Sequence, residues 1–186
     1  MSTFELSLPR NGADHVLGAS HASLTLVEYG DFECPNCKQA APVVKLLLER
    51  FAGRIQFVYR HFPLEEVHPH ALHAALAAEA AGAQHKFWPM HDLLFEHQDH
   101  LKLKQLRGYA ERLELDMRRY DADMEDGLYL QRIREQIESG RRSGVRATPT
   151  FFINDVIHDV SFGFQSLFDR VEAELRISER PKKRRK

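Results

Sequence analysis

Residues 24–42 read LTLVEYGDFECPNCKQAAP. The segment 24–29 is short, apolar and rich in strand formers, and Gly30 and Asp31 close it, which is the pattern of a buried strand. Downstream, Ala41, Val44, Leu47 and Leu48 recur at helical spacing. Cys34 and Cys37, separated by Pro35 and Asn36, therefore lie where a strand gives way to a helix. They are the only two cysteines in 186 residues. One pair cannot build a disulfide framework, so two thiols in a four-residue window point to redox chemistry or to half of a metal site.

Position favours the redox alternative. Residues i and i+3 share a helical face, which brings the two Cα atoms within the ~4.4–6.8 Å that a disulfide requires. Pro35 suits a first helical turn, where its missing N–H is not needed. The same turn offers unpaired N–H groups and the positive end of the helix dipole, both of which stabilise a thiolate. Cys34 is thus expected to be the attacking nucleophile. Cys37, one turn further in and less exposed, is expected to be the resolving thiol of a mixed-disulfide exchange. Asp31 and Glu33 would oppose a low thiol pKa if they faced Cys34, and the sequence leaves the sign of the net effect open. Pro42 either kinks the helix or marks a restart.

Working outward, Gly53 ends the helix and 55–59, IQFVY, forms a second strand, giving a βαβ unit. From 65 to 142 the pattern is helical. HPHALHAALAAEAAGA is Ala-rich, and Leu106, Tyr109, Ala110 and Leu113 form one stripe. Met117, Tyr120, Met124 and Leu128 form a second, extended by Ile133 and Ile137. Four or five helices are expected there, with the aromatic stripes as core. After Gly140 and Gly144 the period returns to strand at 150–154, TFFIN. VIHDV pairs with it across an Asn154-Asp155 turn, and Leu167, Phe168, Val171 and Leu175 mark a last helix over 165–177. The expected organisation is a β-α-β part at 1–62, a helical insertion at 63–143, a β-β-α part at 144–179 and a basic tail at 180–186.

Apolar residues are 43% of the chain and twelve are Phe, enough for a core, while charged residues at 28% are ordinary for a globular protein. No apolar run reaches the ~20 residues of a membrane span. The start lacks the basic and apolar regions of a secretory signal, so the expected location is cytoplasmic, or periplasmic if a signal was removed. The tail RPKKRRK carries six of the 26 basic residues and leaves a body near −7. No nucleic-acid partner is expected from such a body.

Taken together, LTLVEYGDFECPNCKQAAP, IQFVYRHFPL, HPHALHAALAAEAAGAQHKFWPMHDLLFEHQ and GVRATPTFFIN resemble, in content and order, the DsbA-like branch of the thioredoxin superfamily. The resemblance runs from about Asp14 to Leu175. It implies an α/β thioredoxin fold with an inserted helical domain, and thiol-disulfide oxidoreductase activity with the dithiol itself as redox group and no bound cofactor. It implies Cys34 as the exposed nucleophile, Cys37 as its partner and Pro149 as a cis-proline facing them. Thr148 would offer backbone hydrogen bonds to a substrate peptide, with Pro35 and Asn36 bordering it. Glu28 matches the family's buried acid, and a carboxylate inside an apolar strand is costly unless it has a role; with a raised pKa it would take the Cys37 proton. The implied partners are cysteine-containing proteins and a redox donor or acceptor such as thioredoxin or glutathione. Asn154-Asp155 in place of Asn-Gly, and 161–164 SFGF, depart from the family pattern at the groove rim. Pro-Asn in place of Pro-His points to a milder oxidant or a reductase.

Three rivals stand beside this reading. Zinc could take Cys34 and Cys37 with His68 and His73, although the gap is far longer than in a zinc finger. A kappa-type glutathione transferase would carry serine at Cys34. A peptide-binding or chaperone module would use the groove beside Pro149 and leave the cysteines incidental.

Overall fold

The computed structural model describes residues 5–161 and 163–178; the basic tail 180–186 lies outside them, as does Phe162 of the rim stretch. Five strands form one mixed sheet in the order β1-β3-β2-β4-β5. They are β1 His15–Gly18, β2 Leu24–Gly30, β3 Ile55–His61, β4 Thr150–Ile153 and β5 Val156–His158. β2 and β3 are parallel and every other pair is antiparallel. The sequence pattern misses β1: its four residues, HVLG, are half-buried or exposed and too short to show a period. The part before the insertion is therefore β-β-α-β. Every residue of β3 is buried, as befits a strand covered on both faces. Arg60 is one of them, at 0% exposure, with Nε and Nη2 reaching Asp14 at 2.9 and 3.0 Å and further bonds to the carbonyls of Leu8 and Pro9.

Helix α1, Pro35–Arg50, joins β2 to β3 and runs unbroken through Pro42. Its buried face is Cys37, Ala40, Val44 and Leu47, so the stripe is centred on Ala40 rather than Ala41. Between β3 and β4 come α2 Ala71–Gly82, α3 Phe87–Glu96, α4 Leu103–Arg112, α5 Met117–Glu125 and α6 Leu130–Arg142; α7, Gln165–Ser178, ends the described chain. Alanine lets α2 pack closely on several sides, and Ala74, Ala75, Ala77, Ala78, Ala80 and Ala81 are all buried. One expectation is corrected. Leu128 is exposed beyond the end of α5, because Gly127 turns the chain at φ +58. Gly140 lies inside α6, where a Cβ would stand 2.8 Å from the Phe62 ring. The Asn154-Asp155 turn closes β4 to β5 with both residues at positive φ, 47 and 68, as a two-residue hairpin demands, despite lacking glycine.

One buried cluster fastens the insertion to the sheet. Oε1 of Glu79 on α2 lies 3.1 Å from His15 Nε2, 3.0 Å from His61 Nε2 and 3.2 Å from Arg132 Nε, joining β1, β3 and α6. Burial pushes the carboxyl up, but the hydrogen bonds from His15 and His61 and the charges around it outweigh burial and hold it well below the usual carboxylate range.

Candidate active site

Cys34 is the N-cap of α1, in extended conformation at φ −76 and ψ 121, with Pro35 opening the helix. Both cysteines are free thiols. Cys37 is wholly buried and Cys34 keeps only 5% exposure, so the exposed nucleophile implied by the resemblance is corrected to a nearly covered one. Pro35 and Asn36 between them are exposed. The Thr148–Pro149 peptide bond is cis, and the Cys34 thiol donates to the Thr148 carbonyl at 3.2 Å. That bond exists only while Cys34 is protonated, and ionisation of the thiol frees the carbonyl. The Thr148 hydroxyl is buried and, among the described residues, satisfied by no other group, which leaves it able to donate to an ionised Cys34.

The two thiols differ in acidity for stated reasons. A hydrogen bond from the Cys37 thiol is the largest influence on Cys34; burial opposes it, and the Thr148 hydroxyl and the N–H groups of Cys37 and Asn36 add to it, bringing Cys34 down to about 5. Burial, then the bond to Cys34, then the charge of Glu28, push Cys37 well above its ordinary value. The N–H of Asp31 donates to Cys37 Sγ at 3.4 Å.

Glu28 lies on the central strand β2, opposite Tyr59 of β3 and Phe151 of β4. It is 2% exposed, and its Oε1 has no hydrogen-bond partner among the described residues. Burial, reinforced by the nearby charge of Cys34, pushes it up to about 8, so it is mostly protonated at neutral pH.

Asp31 and Glu33 are not among the main influences on Cys34. Asp31 accepts from the N–H of Glu33 at 2.7 Å, from the N–H of Leu64 at 2.9 Å and faces His68 Nδ1 at 2.7 Å. Glu33 accepts from the N–H of His70 at 2.6 Å. Both acids are held by the loop after β3, and the net shift of Cys34 is downward. It also engages His68, one of the two histidines of the zinc alternative. Among the described residues no group of three or more His, Cys, Asp or Glu side chains could hold a metal ion.

Sequence reasoning assigned no role to Gln98. From the loop after α3 its amide donates to the carbonyls of Phe32 at 2.8 Å and Cys34 at 2.9 Å. The inserted helices thus grip the turn that carries Cys34. Residues 24–37 position the thiols and the acid, 148–149 face them, and Gln98 braces them from outside.

A family model described as thioredoxin matches residues 10–172. The chain belongs to the thioredoxin family. Within the family its fold is DsbA-like. α-DsbA1 from Wolbachia pipientis superposes with a TM-score of 0.79 at 20% identity, over 91% of this chain and 94% of that one. A thioredoxin-like oxidoreductase from Silicibacter pomeroyi superposes at 0.78 with 26% identity, over 88% and 92%. Among curated relatives, Na(+)/H(+) antiporter NhaA 1 of Salinispora arenicola is 50% identical over 154 residues, covering 83% of this chain and 24% of the relative. The chain thus spans about a quarter of the length of the curated relatives it matches. Among the described residues no helix is long and apolar enough to cross a membrane.

Proposed function

We propose that this thioredoxin-family chain is a thiol-disulfide oxidoreductase acting on cysteine-containing proteins through a mixed disulfide at Cys34. The observation that carries the reading is the split acidity of the pair: one thiol ionised at neutral pH, its neighbour protonated and buried beside an unpartnered carboxyl. The Cys34 thiolate attacks one sulfur of a substrate disulfide; that S–S bond breaks, a Cys34–sulfur bond forms, and the other substrate sulfur leaves as a thiolate. With Cys34 no longer charged, the push on Glu28 from that side disappears, so Glu28 can give up its own proton to solvent and, once ionised, take the Cys37 proton. The Cys37 thiolate then attacks Cys34 Sγ, closing the Cys34–Cys37 disulfide and releasing the second substrate sulfur, which recovers the proton. The substrate gains two electrons and the dithiol loses two; the reverse sequence oxidises a substrate dithiol. No bound cofactor is needed, and Thr148-Pro149, Pro35 and Asn36 border the substrate.

A Cys34 pKa of about 5 lies between the roughly 7 of thioredoxin and roughly 3.5 of DsbA. The expected potential accordingly falls between about −270 and about −120 mV. Thioredoxin or glutathione would serve as redox partner, and a cytoplasmic setting would favour reduction. The test is trapping: Cys37→Ser should accumulate reductant-sensitive adducts and Cys34→Ser none. Absence of adducts from the Cys37 variant sinks the scheme.

The antiporter names of the curated relatives favour a second reading of the setting, in which such a domain works beside an ion transporter. Adducts trapped in the membrane fraction would support it, and adducts confined to the soluble fraction would remove it.

A further inference from the structure

A cavity of about 510 Å³ opens between α1 and α3 and reaches down to the sheet. Leu48, Phe57, Trp88 and Phe95 give it apolar walls, and Glu28 lines it. Neither cysteine does. We infer that this cavity is a binding site for a small, uncharged, mostly apolar molecule whose single hydrogen-bond-accepting oxygen meets the Glu28 carboxyl.

Size comes first: the volume lies within the roughly 300–1,000 Å³ of ligand pockets, and such pockets pair apolar walls with a few placed polar groups. Two buried polar groups line it, His91 and Glu28; the Nδ1 of His91 is engaged by Asp92 at 3.0 Å, which leaves the Glu28 carboxyl. Its Oε1 is buried without a hydrogen-bond partner among the described residues, and an unmade bond at a buried polar atom is costly. Burial keeps the carboxyl protonated at neutral pH, so it presents an O–H to the space, and the complementary group is a carbonyl or ether oxygen. Charge at the cavity is balanced. Lys38 and Lys45 on α1 stand with Asp92 and Glu96 on α3, and Lys45 is close enough to Asp92 to favour its ionised form. Nothing there selects a net charge. An anion would in addition be set near the Cys34 thiolate, whose charge already reaches Glu28.

Trp88 is the only tryptophan in the chain and forms part of the wall, so its emission reports occupancy without any assay of thiol exchange. The reduced 186-residue chain is titrated with acetophenone and with α-methylstyrene, which has the same shape but no accepting oxygen. Acetophenone should change Trp88 emission saturably, and α-methylstyrene should bind about tenfold more weakly, the worth of one hydrogen bond. Glu28→Leu should erase that preference, whereas Glu28→Gln, which keeps a donor, should retain it and shows that loss is not a folding effect. Purely linear quenching, equal binding of the two probes, or a ketone preference that survives in Glu28→Leu would overturn the assignment. Tighter binding of benzylamine than of acetophenone would overturn it in favour of a cation site.

Discussion

Glu28 and Glu79 are the same side chain at the same 2% exposure, and they behave in opposite ways. Glu79 sits among His15, His61 and Arg132 and is held ionised. Glu28 has no such partner and is driven up to about 8. Burial penalises the ionised form in both cases; the neighbours decide whether that penalty is met. The fully partnered acid has no proton to exchange near neutral pH and acts as a fastener between insertion and sheet. The unpartnered acid holds a proton loosely enough to give and take it beside Cys37.

The largest effect expected from breaking this contrast is at Glu79. Glu79→Leu strands the half-buried Arg132 and His15 and the buried His61, and breaking a buried pair costs up to about 3–5 kcal/mol; chemical denaturation should show a loss at pH 7. The native carboxyl has a depressed pKa, so its contribution is complete above about 4.5 and declines as the solution is acidified below that value. Glu28 runs the other way. Its raised pKa means its contribution is complete below about 4.5 and is lost as pH rises towards 8. Glu28→Gln should therefore be more stable than the native protein at pH 7 by up to about 3 kcal/mol, from the gap between 4.5 and 7, and the difference should vanish near pH 4.5. Exchange by the same variant should be slower, by the roughly 10²-fold or more that a positioned proton-transfer group supplies. A variant equally stable at both pH values would show that Glu28 is not the strained acid described. The smallest effect concerns Thr148. The pH profile of Cys34 alkylation should have its midpoint near 5. Thr148→Val should move that midpoint up by about one unit, the scale of one hydrogen bond to a charged group, and Thr148→Ser should restore it.

The contrast also marks what the sequence made legible. The strand, the thiol pair and the following helix declare themselves through period and spacing over 24–48, and Glu28 stands out as a carboxylate inside an apolar strand. Thr148, 114 residues from Cys34, could be placed only through resemblance, because no local pattern links the two. The fastening role of Glu79 was hidden in an alanine-rich helix whose other three partners lie on three different elements. β1 was too short to show alternation, and Gln98 is a polar loop residue whose importance lies wholly in what it touches. The exposure of Cys34 was misjudged for a related reason: a helix N-terminus is open by itself and is covered here by a distant segment.

The bond between Cys34 and Thr148 spans 114 residues, and Gln98 lies between them in the chain. During synthesis Cys34 leaves the ribosome long before Thr148, one of the groups that lower its pKa, and before Gln98, which braces its turn. At roughly 5–20 residues per second, the interval is on the order of 6–20 s. Over that time the two thiols have the chemistry of any unfolded cysteine. The reactive thiolate is a property of the finished chain, and a nascent chain carries the motif without yet carrying the reagent.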